Sequence, residues 1–455
     1  MSDFLVTVYI ANYNYSRYLK LAVESVLNQT LRDFELIIID DGSTDDSKRL
    51  IGEYRDHPKV RAIFQENRGL NVCGNVALKA SKGKYLVRLD ADDYWDSKAL
   101  ETMVAMLEKR KDVALVFPDY FIVDSHRNII KRVERHDFEK DVTLYDQPAH
   151  GACTMIRKSV LQEVGGYDEE FNRQDGYDIW LKVINDYKVK NINIPLFSYR
   201  QHGDNITRDT HELLRTRARI KEKRISNLGF ETPDILTIIP VRGDSVDPSS
   251  QPLRVICDKP LIEWTIEAAI ESRSISDIVI TTPDLDLIKY LESNYSGEIS
   301  VKKRPIDFAR VNIGIEKTLE NILEDWEDSS NSLPDLILIL YIEYPFRSSW
   351  QIDETVHTQR LFNVDVVDGV MIDDRFFYKH DGTGLRPMVQ GGGLHLERDQ
   401  LYRRVGGIHL MKTKSFLKKR KVITGTIGHI NFDQRTGFQI RSELDWVIAE
   451  TLAGL

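Results

Sequence analysis

The first 100 residues alternate between short apolar runs and stretches in which apolar residues recur every three or four positions. The short runs have the length of buried strands, whereas the recurring pattern is typical of helices that bury one face. The strand-like runs are Val6–Ile10, Phe34–Ile39, Val60–Phe64 and Tyr85–Leu89, and the first helical pattern includes Leu19, Ala22, Val23, Val26 and Leu27. Strands and helices in alternation predict a parallel, nucleotide-binding α/β sheet.

Polar residues follow two of these predicted strands. Asp40 and Asp41 follow the second run, and Asp90, Asp92 and Asp93 follow the fourth. Ligands of parallel α/β sheets bind outside the carboxyl ends of the strands, so we expect a site at this edge. Closely spaced carboxylates repel one another, and a divalent cation shared with a diphosphate would relieve that repulsion.

Turn formation offers a second explanation for both acidic loops. Taken alone, the residues Asp90–Asp93 favour a solvated turn that caps a helix beginning near Ser97. In the earlier loop, Ser43 or Thr44 is expected to cap a helix over Asp45–Tyr54, whose acidic first turn suits the helix dipole.

A second α/β pattern begins in the middle of the chain. Residues 227–234 contain helix-stop and turn residues, and a new strand, Ile235–Ile239, follows them. At 455 residues the chain is long enough for more than one core. We therefore predict one domain over residues 1–228, a linker over 229–233 and a second domain over 234–455.

Composition narrows the class of protein. The longest apolar runs are strand-sized, well below the roughly 20 residues of a membrane span, and Met1–Phe4 lacks the basic region of a secretory signal. Cys73, Cys153 and Cys257 are scattered without metal-ligand spacing. The net charge of −9 argues against a general nucleic-acid binder. These features predict a cytoplasmic protein.

One basic segment, His211–Arg224, has a helical pattern. It would suit a peripheral contact with anionic lipids at the inner face of the membrane. The favoured interpretation is a solvated helix that packs through a narrow apolar stripe.

Ordered motifs over about half of the chain resemble the inverting glycosyltransferases of family 2, which have the GT-A fold. The motifs are VTVYIANYNYSRYLKLAVESVLNQTLRDFELIIIDDGSTDD, NRGL and KGKYLVRLDADDYW. The resemblance implies a nucleotide-sugar donor, with UDP as the expected nucleotide, and Mn²⁺ or Mg²⁺ as the cofactor. It places Ala11 and Tyr13 beside the base and gives Asp41 a hydrogen bond to it. Asp90 and Asp92 would hold the ribose and the metal.

The same resemblance implies a glycan or lipid-linked acceptor and a base that deprotonates its hydroxyl. That base belongs to the segment QDGYDIWL, Gln174–Leu181. Asp175 is the expected base and Asp178 the second choice, although first-turn placement in a helix explains Asp178 better. The small residues of Gly151–Thr154 are expected to leave room for a sugar. His202 resembles a histidine that joins the metal or diphosphate site in some relatives, and an ordinary surface histidine is the alternative.

The second domain resembles the cytidylyltransferases that activate sialic and related acidic sugars. The matching stretches are IIPVRGDSVDPSSQPLRVICDKPLIEWTIEAAIES, IVITT, LYIEYPFRSSW and SELDWVIAE. Val246 and Gln251 replace two lysines that face the triphosphate, and Gln439 and Arg441 replace acids of the metal site. Because an arginine repels a cation, we interpret the domain as catalytically degenerate. Its relatives commonly pair through this domain, which predicts a homodimer with an exchanged arm in Phe376–Arg404.

The sequence leaves three functions open. The first is a metal-dependent inverting glycosyltransferase with an appended non-catalytic domain. The second is a bifunctional enzyme whose C-terminal domain also activates an acidic sugar with CTP, and the third is a non-enzymatic scaffold. The intact carboxylates of the first domain favour the first function over the third, and the four replacements in the second domain count against the second function.

Overall fold

The computed structural model describes residues 4–146, 148–202, 209–330, 332–373, 375, 377–388 and 401–454. The chain forms two compact units: an N-terminal unit of residues 1–220 and 376–399, and a C-terminal unit of residues 221–375 and 400–455. Part of the expected dimer arm, Gly391–Gly393, lies outside the described residues.

The N-terminal unit is built on a nine-stranded mixed sheet. Its strands are β1 (Phe4–Asn12), β2 (Phe34–Asp41), β3 (Val60–Gln65), β4 (Gly83–Asp90), β5 (Tyr94–Trp95), β6 (Val113–Val123), β7 (Ile129–Val133), β8 (Met155–Arg157) and β9 (Lys188–Arg200). The helices that begin in it are α1 (Ser16–Leu27), α2 (Ser47–Gly52), α3 (Leu70–Ala80), α4 (Ala99–Lys109), α5 (Lys158–Glu163), α6 (Asp175–Val183) and α7 (Thr210–Leu228). The strand order is β3-β2-β1-β4-β8-β6-β9-β5, with β7 beside β6.

Four parallel strands on one side of this sheet position the candidate site. Strand β1 pairs with β2 on one side and with β4 on the other, and β2 pairs with β3. After β3 the chain returns to add β4 on the far side of β1, so the direction of strand addition reverses between β1 and β4. Such a reversal leaves a crevice at the carboxyl ends of the strands, where ligands of these sheets bind.

Burial explains why these strands form a rigid platform. Strand β2 is buried at every position, as expected for a parallel strand covered on both faces. The predicted apolar stripe of α1 is buried at Leu19, Ala22, Val23 and Val26, and it packs in one core with β1, β2, β4 and α4. The polar residues that follow the strands are therefore held by a close-packed framework.

The loop after β2 differs from the expectation. The predicted helix over Asp45–Tyr54 begins only at Ser47, and the structure gives it no side-chain cap. Ser43 does not cap it, because the Ser43 hydroxyl accepts a hydrogen bond from the Asn12 amide of the neighbouring loop at 3.1 Å. Thr44 likewise turns toward that loop, donating its backbone N–H to Asn14 Oδ1 at 2.7 Å.

The acidic turn after β4 does not cap the following helix. Helix α4 begins at Ala99 with Lys98 at its N-cap, and the Lys98 N–H donates to Asp96 Oδ1 at 2.9 Å. The solvated-cap explanation for Asp90–Asp93 is therefore wrong for this helix.

The C-terminal unit contains a second α/β sheet, of seven strands in the order β14-β13-β10-β15-β19-β16-β20. The strands from residue 235 onward are β10 (Ile235–Pro240), β11 (Val255–Ile256), β12 (Lys259–Pro260), β13 (Asp277–Thr282), β14 (Ser300–Lys303), β15 (Leu336–Leu340), β16 (Val366–Asp373), β17 (Tyr378–His380), β18 (Leu385–Pro387), β19 (Leu401–Lys412) and β20 (Ile427–Asn431). The helices are α8 (Leu261–Ile270), α9 (Leu285–Asn294), α10 (Ile306–Ala309), α11 (Glu316–Ser330), α12 (Ser349–Phe362), α13 (Thr413–Lys419) and α14 (Glu443–Ala453). The hairpin β17–β18 groups with the N-terminal unit.

Helix α7 contains the basic segment, and two of its basic side chains form hydrogen bonds with other parts of the protein. Lys221 is buried and donates to Glu354 Oε1 at 2.7 Å and to Thr358 Oγ1 at 2.9 Å within the C-terminal unit. In the N-terminal unit, Arg217 Nε donates to Gln174 Oε1 at 2.7 Å. Among the described residues, no helix combines the length and the apolar character needed to cross a bilayer.

Candidate active site

The residues predicted for the site lie at or just after strand ends of the N-terminal unit, except Asp175, which lies at the start of a helix. Ala11 and Tyr13 lie at the end of β1, Asp41 ends β2, Asp90 ends β4, Asp92 lies in the next turn, Asp175 opens α6 and His202 follows β9. The structure joins Asp90 to Asp175 through one arginine and places Asp92 against His202. Asp41 bonds to a different loop.

The loop after β1 is fixed by amide side chains. Asn12 Nδ2 donates to Asp40 Oδ2 at 3.0 Å, and the Asn14 N–H donates to Ser43 Oγ at 3.0 Å. Asn14 adopts a left-handed conformation with φ of 60°, which asparagine tolerates better than most residues. Tyr13, between them, is 46% exposed. An exposed ring on a fixed loop is available to stack on a flat ligand.

Asp41 organises the loop that leads into α3. Its carboxylate accepts hydrogen bonds from Gln65 Nε2 at 2.7 Å, from the Arg68 N–H at 3.0 Å and from the Gly69 N–H at 2.8 Å. Gly69 has φ of 90°, a conformation that glycine adopts without strain. The expected role of Asp41 in binding the base stays a prediction, and the structure adds this loop-positioning role.

Asp92 and His202 are in direct contact. The Nε2 atom of His202 lies 2.9 Å from Oδ2 of Asp92, and the imidazole ring packs on Tyr15 and Tyr18 with centroid distances of 5.6 and 5.3 Å. Burial, and then the neighbouring Asp90 carboxylate, raise the pKa of Asp92 above its ordinary value. His202 is therefore packed against the acidic turn rather than standing alone on the surface.

Arg200 supports this turn from the end of β9. Its backbone N–H donates to Asp93 Oδ1 at 2.8 Å, and its Nε donates to the backbone oxygen of Asp92 at 2.8 Å. Burial, together with the charges of Asp92 and Asp90, raises the pKa of Asp93 well above its usual range. These bonds fix the acidic turn relative to β9, which also carries His202 beyond its last residue.

The donor set fits a hard divalent cation in part. Carboxylate and imidazole are both ligands of Mn²⁺, and Mg²⁺ is held by carboxylates and phosphates. Among the residues that the structure describes, no group of three or more His, Cys, Asp and Glu side chains is arranged to hold a metal ion. Asp92 and His202 supply two ligands, so phosphate oxygens of a donor would have to complete the coordination.

Arg88 contacts two of the predicted site residues, Asp90 and Asp175. Its side chain is buried, its Nε lies 2.8 Å from Asp90 Oδ1, and its Nη1 donates to Asp175 Oδ2. Arg88 and Asp90 are two residues apart on β4, and such residues share one face of a strand. The sequence interpretation missed Arg88. The available signal was the presence of a charged residue in an otherwise apolar strand. A buried arginine needs a charged or polar partner, so such a residue indicates a contact with another element.

The small residues after His150 pack against the Arg88–Asp175 pair. A Cβ atom at Gly151 would lie 2.6 Å from Arg88 Nη2 and 3.4 Å from Asp175 Oδ2. Ala152 and Cys153 are fully buried, and the Cys153 N–H donates to the backbone oxygen of Arg88 at 2.8 Å. The absence of a side chain at Gly151 thus leaves room for the Arg88–Asp175 pair, and the expected room for a sugar stays a prediction.

Asp178 is bound on the same helix as Asp175. It accepts a hydrogen bond from Lys182 Nζ at 2.7 Å and one from the Asp168 N–H at 3.2 Å. Burial raises the pKa of its carboxyl, and the Lys182 ammonium acts in the opposite direction. These contacts give Asp178 a structural role in the first turns of α6.

Two of the residues predicted to be degenerate, Gln251 and Arg441, form hydrogen bonds within the C-terminal unit. Gln251 accepts a hydrogen bond from Arg254 Nη1 at 3.0 Å. Arg441 is exposed, and its backbone N–H donates to Asp445 Oδ2 at 2.9 Å. Arg304, at the carboxyl end of β14, is buried and donates to the backbone oxygen of Val241 at 3.0 Å.

Comparison with known proteins identifies both parts of the chain. Residues 7–165 match the profile of glycosyl transferase family 2, and residues 236–341 match that of a cytidylyltransferase. Chondroitin synthase of Escherichia coli is 33% identical over 202 residues, which cover 44% of this chain and 29% of that protein. An uncharacterized glycosyltransferase of Methanocaldococcus jannaschii is 35% identical over 207 residues, covering 43% of this chain and 70% of the relative.

A third relative is the E. coli enzyme named UDP-Glc:alpha-D-GlcNAc-diphosphoundecaprenol beta-1,3-glucosyltransferase WfgD. It is 26% identical over 196 residues, which cover 42% of this chain and 75% of that enzyme. The chain thus spans less than a third of the chondroitin synthase and most of the two smaller relatives.

These findings confirm the predicted fold class of two α/β domains, a GT-A glycosyltransferase domain followed by a cytidylyltransferase-like domain. They also favour an enzyme over a scaffold, because the relatives are named glycosyltransferases. The chain belongs to glycosyl transferase family 2, and a cytidylyltransferase domain follows its transferase domain in the sequence.

Proposed function

We propose that this glycosyltransferase is metal-dependent and inverting, and that it moves a sugar from a UDP-linked donor to a glycan or lipid-linked acceptor. The observation that carries the proposal is the arrangement around Arg88, which holds Asp90 and Asp175 at the same strand edge as the Asp92–His202 pair. Asp90 therefore lies at the end of β4, beside the loops expected to bind the donor, and Asp175 lies at the start of α6.

The relatives support the choice of donor and acceptor. The name of the E. coli glucosyltransferase specifies UDP-Glc as its donor and a sugar linked to diphosphoundecaprenol as its acceptor. In this chain the exposed Tyr13 ring and the Asp41 carboxylate flank the loops after β1 and β2, where a base would lie. Ala11, the second-last residue of β1, is paired with Asp90, next to the expected ribose position.

Asp92 and His202 would hold the divalent cation, Mn²⁺ or Mg²⁺. When bound, the cation supplies positive charge that neutralises the departing diphosphate. The chain contributes the fixed positions of these two ligands, since Arg200 holds the acidic turn and two tyrosine rings pack on the His202 imidazole.

Asp175 is the proposed base. In an inverting transfer the acceptor oxygen bonds to the anomeric carbon as the bond to the diphosphate breaks, and one carboxylate takes the acceptor proton. The guanidinium of Arg88 fixes the position of Asp175. Asp178 is the weaker candidate, because Lys182 and the Asp168 N–H already bind its carboxylate.

Replacing the proposed metal ligand should abolish transfer without unfolding the chain. Asp92→Ala removes one carboxylate from a turn that Arg200 still holds, so we expect a loss of about a thousandfold or more in kcat. Sugar transfer and donor hydrolysis with Mn²⁺ are the measurements, and Asp56→Ala, on an exposed residue, is the control. Full activity of Asp92→Ala at saturating Mn²⁺ would contradict the assignment.

The proposed base should affect turnover and not donor binding. Asp175→Asn keeps the size of the side chain but removes its basicity, so we expect kcat to fall at least a hundredfold while UDP affinity changes little. Asp178→Asn is the matched variant on the same helix. If Asp178→Asn is inactive and Asp175→Asn is active, the base has been assigned to the wrong residue.

We also propose that the C-terminal unit does not turn over CTP. A triphosphate with its metal needs cationic side chains around the phosphates and carboxylates around the cation, whereas this unit has Val246, Gln251, Gln439 and Arg441 at those places. We expect no pyrophosphate release from CTP by the full chain with a panel of acidic sugars. Release with any of them would establish the bifunctional alternative.

Finally, we propose a homodimer formed by residues beyond Pro233. On the described part of the expected arm, Tyr378, Leu385 and Met388 are each more than half exposed, which is typical of apolar residues that a partner covers. Light scattering of the full chain should give twice the mass of one chain, and Leu385→Asp should give a monomer. Ile129→Asp, at another exposed apolar residue, is the control. A monomeric wild-type chain would refute the dimer.

A further inference from the structure

A cluster of aromatic rings lies next to the proposed base, and none of the roles assigned above uses it. The ring of His150 lies 4.9 Å from that of Tyr199, 5.3 Å from that of Tyr120 and 5.4 Å from that of Phe197, measured between centroids. Phe197 is buried, whereas the other three residues keep part of their surface exposed. The cluster is therefore partly exposed at Tyr120, His150 and Tyr199 and is backed by the core at Phe197.

Backbone contacts hold His150 beside the Arg88–Asp175 pair. The residue after it, Gly151, packs against both of those side chains. The Cys153 N–H donates to the backbone oxygen of Arg88, and the hydroxyl of Thr154 donates to the backbone oxygen of His150. The loop has little freedom to move the imidazole away from Asp175.

The chemistry of the His150 ring is defined by its neighbours. The Ala152 N–H donates to Nδ1 at 3.2 Å, so a neutral ring carries its proton on Nε2. Burial lowers the pKa of His150 to about 4, Arg88 acts in the same direction and the Asp90 carboxylate acts against it, so the ring is neutral at neutral pH. Among the described residues no acceptor is hydrogen-bonded to Nε2, so this N–H can donate to a ligand.

A sugar ring has one face of C–H groups and an edge of hydroxyls. Aromatic rings pack against the C–H face. A neutral N–H group can donate a hydrogen bond to a hydroxyl, so neither partner needs to be charged. We propose that Tyr120, His150 and Tyr199 bind the acceptor sugar, an uncharged hexose or N-acetylhexosamine, with Nε2 of His150 donating to one of its hydroxyls. This inference rests on the proposed function, since it names the acceptor side of the same site.

Acceptor kinetics test this assignment in the full chain with Mn²⁺ present. The probes are para-nitrophenyl glycosides of neutral hexoses and N-acetylhexosamines, with a UDP-sugar donor that the wild type hydrolyses. We expect His150→Ala and Tyr199→Leu each to raise the acceptor KM about fivefold to tenfold, as expected for the loss of one hydrogen bond or one packing face. Donor hydrolysis without acceptor and UDP affinity should stay within twofold of wild type.

His57→Gln, at a histidine between α2 and β3, is the matched control and should leave every parameter unchanged. His150→Gln retains a donor group and guards against misfolding of the alanine variant, so it should raise KM less than His150→Ala does. Wild-type acceptor KM in His150→Ala, or a loss of donor hydrolysis equal to the loss of transfer, would overturn the inference. So would a wild type that hydrolyses the donor but uses no glycoside of the panel. A wild type that cleaves no nucleotide sugar would instead overturn the proposed function itself.

Discussion

The buried guanidinium of Arg88 is the charge on which the geometry of the site depends. A buried cation without a partner costs several kcal/mol, so the fold must bring carboxylates to it. Asp90 comes from the same strand, and Asp175 comes from α6, 87 residues further along the chain. Burial alone would lower the pKa of Arg88, yet the charges of Asp175 and Asp90 raise it well above its usual value. The group is therefore permanently cationic and keeps both carboxylates in place.

The three acids after β4 are separated by the partners that the chain gives them. Asp90 lies against Arg88, Asp92 against His202 and Asp93 against the Arg200 backbone. Each carboxylate thus has a partner of its own, and these partners offset part of the repulsion among the three acids. Of the three partners, only the imidazole is itself a metal ligand, so the Asp92–His202 pair is the place where a cation could replace a direct contact.

The sequence predicted the parts of this site that local pattern and motif determine. Strands β1 to β4 and the acidic residues at their ends followed from apolar periodicity, because parallel strands buried on both faces have a clear signature. The start of α2 was wrong by two residues, since Ser43 bonds to Asn12 across two loops and is not used as a cap. Bonds of that kind depend on sheet register, which periodicity alone does not determine.

Residues whose roles come from distant contacts were missed for the same reason. Arg88 is explained only by Asp175, and His150 only by the rings of β6 and β9 that surround it. Gly151 was identified as a small residue, but its contact with Arg88 was not predicted, because that side chain comes from another element. In each case the sequence showed an unusual residue, and the fold was needed to show its partner.

Two buried arginines of the C-terminal unit are also bonded to oxygens from other elements. Arg304 donates to the backbone oxygen of Val241, and Arg347 donates to the Gly407 carbonyl and, at 3.0 Å, to Thr265 Oγ1. Burial lowers the pKa of Arg304 to about 10 and that of Arg347 to about 9, so both remain cationic at neutral pH. Each guanidinium therefore bonds to an element other than its own: Arg304 joins the end of β14 to the residue after β10, and Arg347 joins the segment before α12 to β19. Contacts of this kind hold the strand ends of the C-terminal sheet together in the same way that Arg88 holds those of the N-terminal unit.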